Sequence, residues 1–304
     1  MSGANPLLLN GGERAVHQVL EDALRSRQLH LDTKVRLASI LPINNSGIDS
    51  DDFTYALRAE FDFVVSKGPR RKPEFAVEFD GDRHLHDPTT IARDRRKDRL
   101  CGKFDLPLLR IGSEALNRAR KETILAWLID VYYISEAFEH QQAEGSIPAD
   151  EPFLYFSVFD LSPGGGFGPS IALDQEARIK MHAAHDEGVC AQGVPDELTV
   201  DIWDPDIRPE LVESYALLEV DADNFIVGHS TVRNFKRFGG ISASQLATDL
   251  AVANAGRRLD LYRRGRFKPM DKEGVAAIRS RTESWCFNGC RPKFRKEGVR
   301  GPSL

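Results

Sequence analysis

The sequence predicts an α/β fold, a mixed sheet flanked by helices, followed by a second α+β domain. Three observations lead there. Short apolar runs that alternate every second residue, such as EFDFVVS and FAVEFD, have the period of strands. Longer runs with apolar positions three and four residues apart have the period of helices, and the two kinds interleave through residues 1–138. A polar stretch containing Gly and Pro, residues 139–152, then precedes a second series of strands and helices.

Taken in order, a helix is predicted from Glu13 to about Arg27, because Val16, Val19, Leu20, Ala23 and Leu24 recur at helical spacing. The amphipathic stretch TKVRLASIL follows, and the polar run NNSGIDSDD reads as a loop. In RAEFDFVVS, Phe61 and Phe63 flank Asp62 as a strand places them. KGPRRKP is a positively charged turn, and Glu74 to Asp80 is a second strand that stops at Gly81. DRHLHDPTT reads as a loop, and IARDRRKDRLCGKF as a helix whose apolar positions Ile91 and Leu100 are diluted by charge. LPLLRI makes a third strand, with Leu109 and Ile111 alternating against Arg110. The run SEALNRARKETILAWLIDVYYISEAF closes the unit as one helix.

After the linker at 139–152, an α+β domain is predicted over residues 153–265. FLYFSVFDL, ELTVDIWD, YALLEVD and NFIVGHSTV read as strands, the last two joined across ADN as a hairpin. ALDQEARIKMHAAHDEG and SASQLATDLAVANAGRRLDLYRR read as helices. SPGGGFGPS lacks the Lys and Ser or Thr of a phosphate loop and reads as a flexible loop. Residues 266–304 read as a basic C-terminal extension.

Composition narrows the function classes. With 304 residues and 41% hydrophobic content the chain has material for two ordinary cores. No run approaches the roughly 20 apolar residues of a membrane span, so a soluble, cytoplasmic protein is expected. The four cysteines form no CxxC pair, and Cys286 and Cys290 read as small thiols near Trp285 ahead of a metal or redox pair. The net charge of -5 is uneven: Arg257 to Arg300 holds fourteen Lys or Arg against five Asp or Glu. That end suits an anion. Interleaved Tyr262, Phe267, Trp285, Phe287 and Phe294 offer stacking surfaces for nucleic acid, or else pack a basic tail on its own domain.

The chemistry concentrates in the strands. Phe75, Val77 and Phe79 share one face of their strand, and Glu78 and Asp80 share the other. Asp62 interrupts the preceding strand in the same way. Burying an unpaired carboxylate costs several kcal/mol, so these acids must meet solvent, a cation or a positively charged partner. If the two strands pair, Asp62 and Glu78 approach one another, and Mg2+ fits between them because it takes one or two carboxylates and completes its shell with water and phosphate oxygens. The carbonyl of Phe79 is a further candidate ligand, and Asp80 lies within reach of the same metal or a second one.

Glu13 on the first helix, Asp62 in FDF, VEFDGDRH, RDRRKDRL and LLRI together resemble the restriction-endonuclease-like PD-(D/E)xK superfamily, most closely its branch near the very-short-patch-repair endonucleases. The resemblance covers residues of about 10–125. It implies a Mg2+-dependent DNA endonuclease, with Mn2+ as a substitute, that hydrolyses phosphodiester bonds with metal-bound water as nucleophile, in a repair, mobile-element or defence setting. Asp62 and Glu78 match the metal-binding acids, and Glu13 matches a helix acid that reaches the metal. The motif lysine is missing, since Asp80 stands in its place; Lys97 on the following helix is the candidate replacement. His84 matches a family histidine, as base or phosphate contact. Arg70, Arg71, Lys72, Arg93, Arg96 and Arg110 are then candidates to grip the DNA backbone.

Plainer roles stay open beside these. Glu13 favours a helix N-terminus, Asp94 and Lys97 have the spacing of a helical ion pair, Asp80 before Gly81 suits a turn, and Arg110 can pair with a carboxylate. A catalytically inactive nuclease-like protein that only binds nucleic acid is the alternative reading. A protein partner on the C-terminal domain and a homodimer are both compatible with the sequence.

Overall fold

In the computed structural model the chain is described over residues 9–80, 87–119, 122–161, 167–202, 211–235, 237–287 and 292–294. It divides into two units, and residues 233–242 group with the first, along with the chain up to Val158.

The first unit is built on a four-stranded mixed sheet. Its elements are α1 (Gly11–Leu24), β1 (Leu29–Arg36), α2 (Leu37–Ile40), α3 (Ser50–Arg58), β2 (Glu60–Lys67), β3 (Lys72–Phe79), α4 (Pro88–Lys103), β4 (Leu108–Ile111), the short strands β5 (Arg118–Ala119) and β6 (Glu122–Thr123), and α5 (Ile124–Ala143). The sheet runs β1-β2-β3-β4, antiparallel except for the parallel β3–β4 pair. A parallel pair needs a crossover, and α4 supplies it. Val64 lies opposite Ala76, Ala76 opposite Leu108, and Glu78 opposite Arg110, so these residues share one face. Leu37, Ala56, Leu100 and Cys101 from α2, α3 and α4 close over its apolar part. On the other face Phe63 meets the ring of His17 from α1, and Phe75 takes Tyr132 of α5 and Phe238 edge-on.

Local signals account for the element ends. Asn10 caps α1, its side chain accepting from the Glu13 N–H while Glu13 reaches back to the Asn10 N–H, a complete capping box. Asp49 caps α3, and Asp87 with Pro88 opens α4.

The structure departs from the sequence reading in several places. Leu29–Arg36 is a strand, although its second half belongs to TKVRLASIL, which the sequence shows only as an amphipathic stretch, and α3 occupies the end of the expected loop NNSGIDSDD. The closing helix starts only at Ile124, because the preceding residues form a 3-10 turn at Ser113–Leu116 and the small β5–β6 pair. It then continues through Ala143, into the expected linker.

The second unit contains β7 (Phe159–Leu161), β8 (Phe167–Ser170), α6 (Gln175–Asp186), β9 (Asp196–Ile202), β10 (Leu211–Asp221), β11 (Asn224–Arg233), α7 (Ala243–Arg263), β12 (Met270–Asp271), α8 (Lys272–Phe287) and β13 (Pro292–Phe294). Five of its strands form a sheet in the order β12-β11-β10-β9-β13. Met181 and Ala184 of α6 and Ala251 and Ala255 of α7 pack on Leu218 and Ile226, while Val275 and Ile278 of α8 pack with Leu198, Leu217 and Val227. Gly228 makes the first packing possible: a Cβ there would lie 1.9 Å from the carbonyl oxygen of Ala251. Residues 266–304 are therefore no simple extension, since α8 and two sheet strands come from them. Part of SPGGGFGPS, expected as a loop, is strand β8. Among the described residues no helix is long and apolar enough to cross a membrane.

Candidate functional site

Phe63 lies opposite Val77, and one further step in this register sets Asp62 opposite Glu78. The backbone confirms the approach: the Asp62 N–H donates to Glu78 Oε1 over 3.3 Å, and the Phe79 N–H donates to Asp62 Oδ2 over 3.0 Å. The two acids flanking the end of the β2–β3 pair are thus brought together, beside the backbone of Phe79.

Each acid has a lysine. Lys97 on α4 is buried and donates to Glu78 Oε2 at 2.7 Å and to the Glu60 carbonyl at 2.8 Å, so it points inward from the helix as its candidate role requires. Lys34 on β1, absent from the sequence-derived site, donates to Asp62 Oδ1 at 2.6 Å and to Glu13 Oε1 at 3.0 Å. It has φ 51°, a left-handed conformation that costs a non-glycine residue roughly 1–2 kcal/mol. Its neighbours Thr33 and Val35 pair normally with Phe63 and Phe61.

Electrostatics distinguish the two acids' surroundings. Burial drives the Glu78 carboxyl up to about 7; Lys97 opposes the shift and the nearby Asp62 charge adds to it. Burial works against the Lys34 ammonium, but its hydrogen bonds and charge pairing with Asp62 and Glu13 outweigh this and hold it above the ordinary lysine value.

Other expected site residues fall elsewhere. Asp80 faces two arginines: Arg110 at 3.2 Å and Arg233 at 2.6 Å. Arg110 is buried, and its guanidinium is shared among Asp80, Asp94 and Asp98, with Nε 2.8 Å from Asp98. Arg110 is thus a structural cation inside the unit and no grip on DNA, and Asp80 is neutralised by it instead of turned to a metal. Arg233, also buried, reaches Asp94 at 3.2 Å as well. Sequence reasoning gave no hint of Arg233, which stands 153 residues from Asp80.

Glu13 is held by the Asn10 N–H at 3.1 Å and the Asn10 side-chain amide at 2.9 Å, and meets Asp62 only through Lys34. This corrects its expected place as a direct metal ligand: the helix cap claims it. Among the backbone-gripping candidates, Arg70, Lys72 and Arg93 are exposed. Arg71 pairs with Asp32 at 2.7 Å, and Arg96 approaches Asp52 at 3.3 Å and lies over the Tyr55 ring. His84 lies outside the described residues.

Among the described residues no group of three or more His, Cys, Asp or Glu is arranged to hold a metal ion. A Mg2+ site does not need three, since two carboxylates with water and phosphate oxygens suffice. The ion pairs named above join six carboxylates (Glu13, Asp62, Glu78, Asp80, Asp94, Asp98) to four cations (Lys34, Lys97, Arg110, Arg233). With all ionised, Glu13, Asp62 and Glu78 against Lys34 and Lys97 leave one negative charge beside the two strand acids, which favours a cation there; the other belongs to Asp80, Asp94 and Asp98. A buried carboxyl raised to about 7 also fits, because it gives up its proton when a cation arrives. The donor set is thus compatible with Mg2+ at Asp62 and Glu78.

A family described as a protein of unknown function (DUF2726) matches residues 5–125, the stretch that contains α1 to β4 and both acids. No curated protein and no solved structure matches the chain.

Proposed function

We propose that the first unit is a restriction-endonuclease-like domain and that the protein is a metal-dependent DNA endonuclease, hydrolysing phosphodiester bonds at Asp62 and Glu78. The observation that carries the reading is the meeting of two strand acids with an inward lysine from the crossover helix: Lys97 Nζ lies 2.7 Å from Glu78 Oε2. A stability-driven core has no use for this arrangement, since replacing a buried ion pair with apolar residues is often neutral or stabilising.

Asp62 and Glu78 would hold Mg2+ or Mn2+, which would supply an activated water and charge relief at the phosphate. The residues do the rest. Glu78 releases its proton to take up the cation. Asp62 stays oriented by the Phe79 N–H. Lys97 holds the Glu78 carboxylate in place and would offer its positive charge to the phosphate. Arg70, Lys72 and Arg93 hold the DNA backbone without reading its sequence.

A second reading has its own observation. Both acids already have a lysine in contact and Asp80 stands where the motif lysine belongs, which favours a nuclease-like fold that binds nucleic acid without cutting it. Plasmid incubated with purified protein and Mg2+ or Mn2+ separates the two. Cleavage that disappears in both Asp62→Ala and Glu78→Ala supports the nuclease. Retained DNA binding with no cleavage under either metal supports the binding protein.

A further inference from the structure

Resting on the metal reading above, we infer that Lys34 is a built-in counter-ion that occupies Asp62 in place of a divalent cation and gives it up when one binds there. A single ammonium here joins acids from two elements, 3.0 Å from Glu13 Oε1 on α1 and 2.6 Å from Asp62 Oδ1 on β2. Lys34 thereby holds Asp62 Oδ1, a carboxylate oxygen that a bound cation would have to take over.

The backbone is shaped for it. Lys34 adopts φ 51° in the middle of β1, while the residues on either side keep their pairing with β2. A strand built only for stability would not place a non-glycine residue in this conformation; the observed outlier points to a selected side-chain position.

The two lysines of the site differ in freedom. The Lys97 side chain is 9% exposed and is fixed by the Glu60 carbonyl as well as by Glu78, whereas that of Lys34 is 24% exposed on a long flexible stem. Lys34 can therefore swing into solvent while Lys97 stays. Exchange of one positive charge for two is also what the local excess of carboxylates favours. Lys34 then sets how weakly the free protein binds metal and keeps Asp62 and Glu13 apart from each other's charge until metal arrives.

Mn2+ binding to the full chain without DNA tests this, read from the loss of the free-ion resonance signal. Lys34→Gly is the variant of choice, because glycine accepts the positive φ while the whole side chain, ammonium included, is removed. Lys34→Gln, which keeps a polar stem, is the second variant, and Lys34→Arg retains the charge. The expected result is an Mn2+ affinity at least tenfold tighter in Lys34→Gly and Lys34→Gln than in the wild type, a wild-type-like affinity in Lys34→Arg, and loss of binding when Asp62→Asn is added. Unchanged or weaker Mn2+ affinity in Lys34→Gly and Lys34→Gln, with binding still abolished by Asp62→Asn, overturns the counter-ion role and leaves the metal site intact. No Asp62-dependent uptake in any variant overturns the metal site and this role together.

Discussion

Replacing Lys97 with Met keeps an unbranched apolar stem and removes the ammonium, which lies over the Phe61 ring and contacts Glu78. The consequence depends on pH, and the sign follows from Glu78. Its folded value of about 7 lies above the ordinary 4.5, so the folded state holds the proton more tightly than the unfolded chain. Wild-type stability therefore falls as pH rises from about 4.5 to about 7, by roughly 1.4 kcal/mol per unit and on the order of 3 kcal/mol in all, and then levels off because Glu78 is ionised in both states. Without Lys97 the carboxyl loses its main opposing charge and stays neutral to higher pH, so the decline continues. By pH 8.5 the variant has lost about 2 kcal/mol more than the wild type from this source, whereas at pH 5.5 both proteins carry a neutral Glu78 and differ only in the contacts of the ammonium. Native-state hydrogen exchange of the β2 and β3 amides reads this for the first unit alone. A destabilisation of equal size at pH 5.5 and 8.5, or a smaller one at 8.5, refutes the reasoning; Glu78→Gln/Lys97→Met should show no such pH dependence.

Arg233→Met removes one of the two cations on Asp80 and should destabilise the first unit by about 3 kcal/mol, the lower end for a broken buried pair because Arg110 remains; exchange protection in α4 reports it. Gly12→Ala puts a Cβ 2.2 Å from the Phe79 ring, and the forced shift should cost about 1–3 kcal/mol in thermal or urea unfolding and weaken the Phe79 contact with Asp62. Mn2+ affinity should climb as pH rises toward about 7 and flatten above it, because below that value the ion must displace the Glu78 proton; calorimetry in two buffers of different ionisation heat counts the released proton.

Much of the acid pair could be read from period alone. Asp62 and Glu78 each break an apolar run on the polar side of a strand, and antiparallel pairing turns that pattern into contact. Lys97 was harder to place because the inner stripe of α4 is itself charged: Ile91, Asp94, Lys97, Asp98 and Cys101 follow helical spacing, so the usual apolar signal is diluted where the helix meets the site. Two missed features had legible signals. Asn10 and Glu13 have the spacing of a capping box, and Leu29, Leu31, Thr33 and Val35 alternate as β1 requires. Arg233 and Lys34 had none. Each reaches its acid partner by tertiary packing, across 153 and 28 residues, and no local pattern marks a long-range ion pair. For Arg110 the sequence leaves a phosphate grip and a carboxylate partner both open for a related reason: an arginine in a strand looks the same whether it faces solvent or, as here, three carboxylates.

An anomalous difference map from a crystal soaked in manganese tests the central claim most directly. The account predicts one peak within about 2.2 Å of carboxylate oxygens of both Asp62 and Glu78, with Lys97 still on Glu78 and Lys34 withdrawn from Asp62. A map with no peak at these two acids, and Lys34 still bridging Glu13 and Asp62 at saturating manganese, would contradict it.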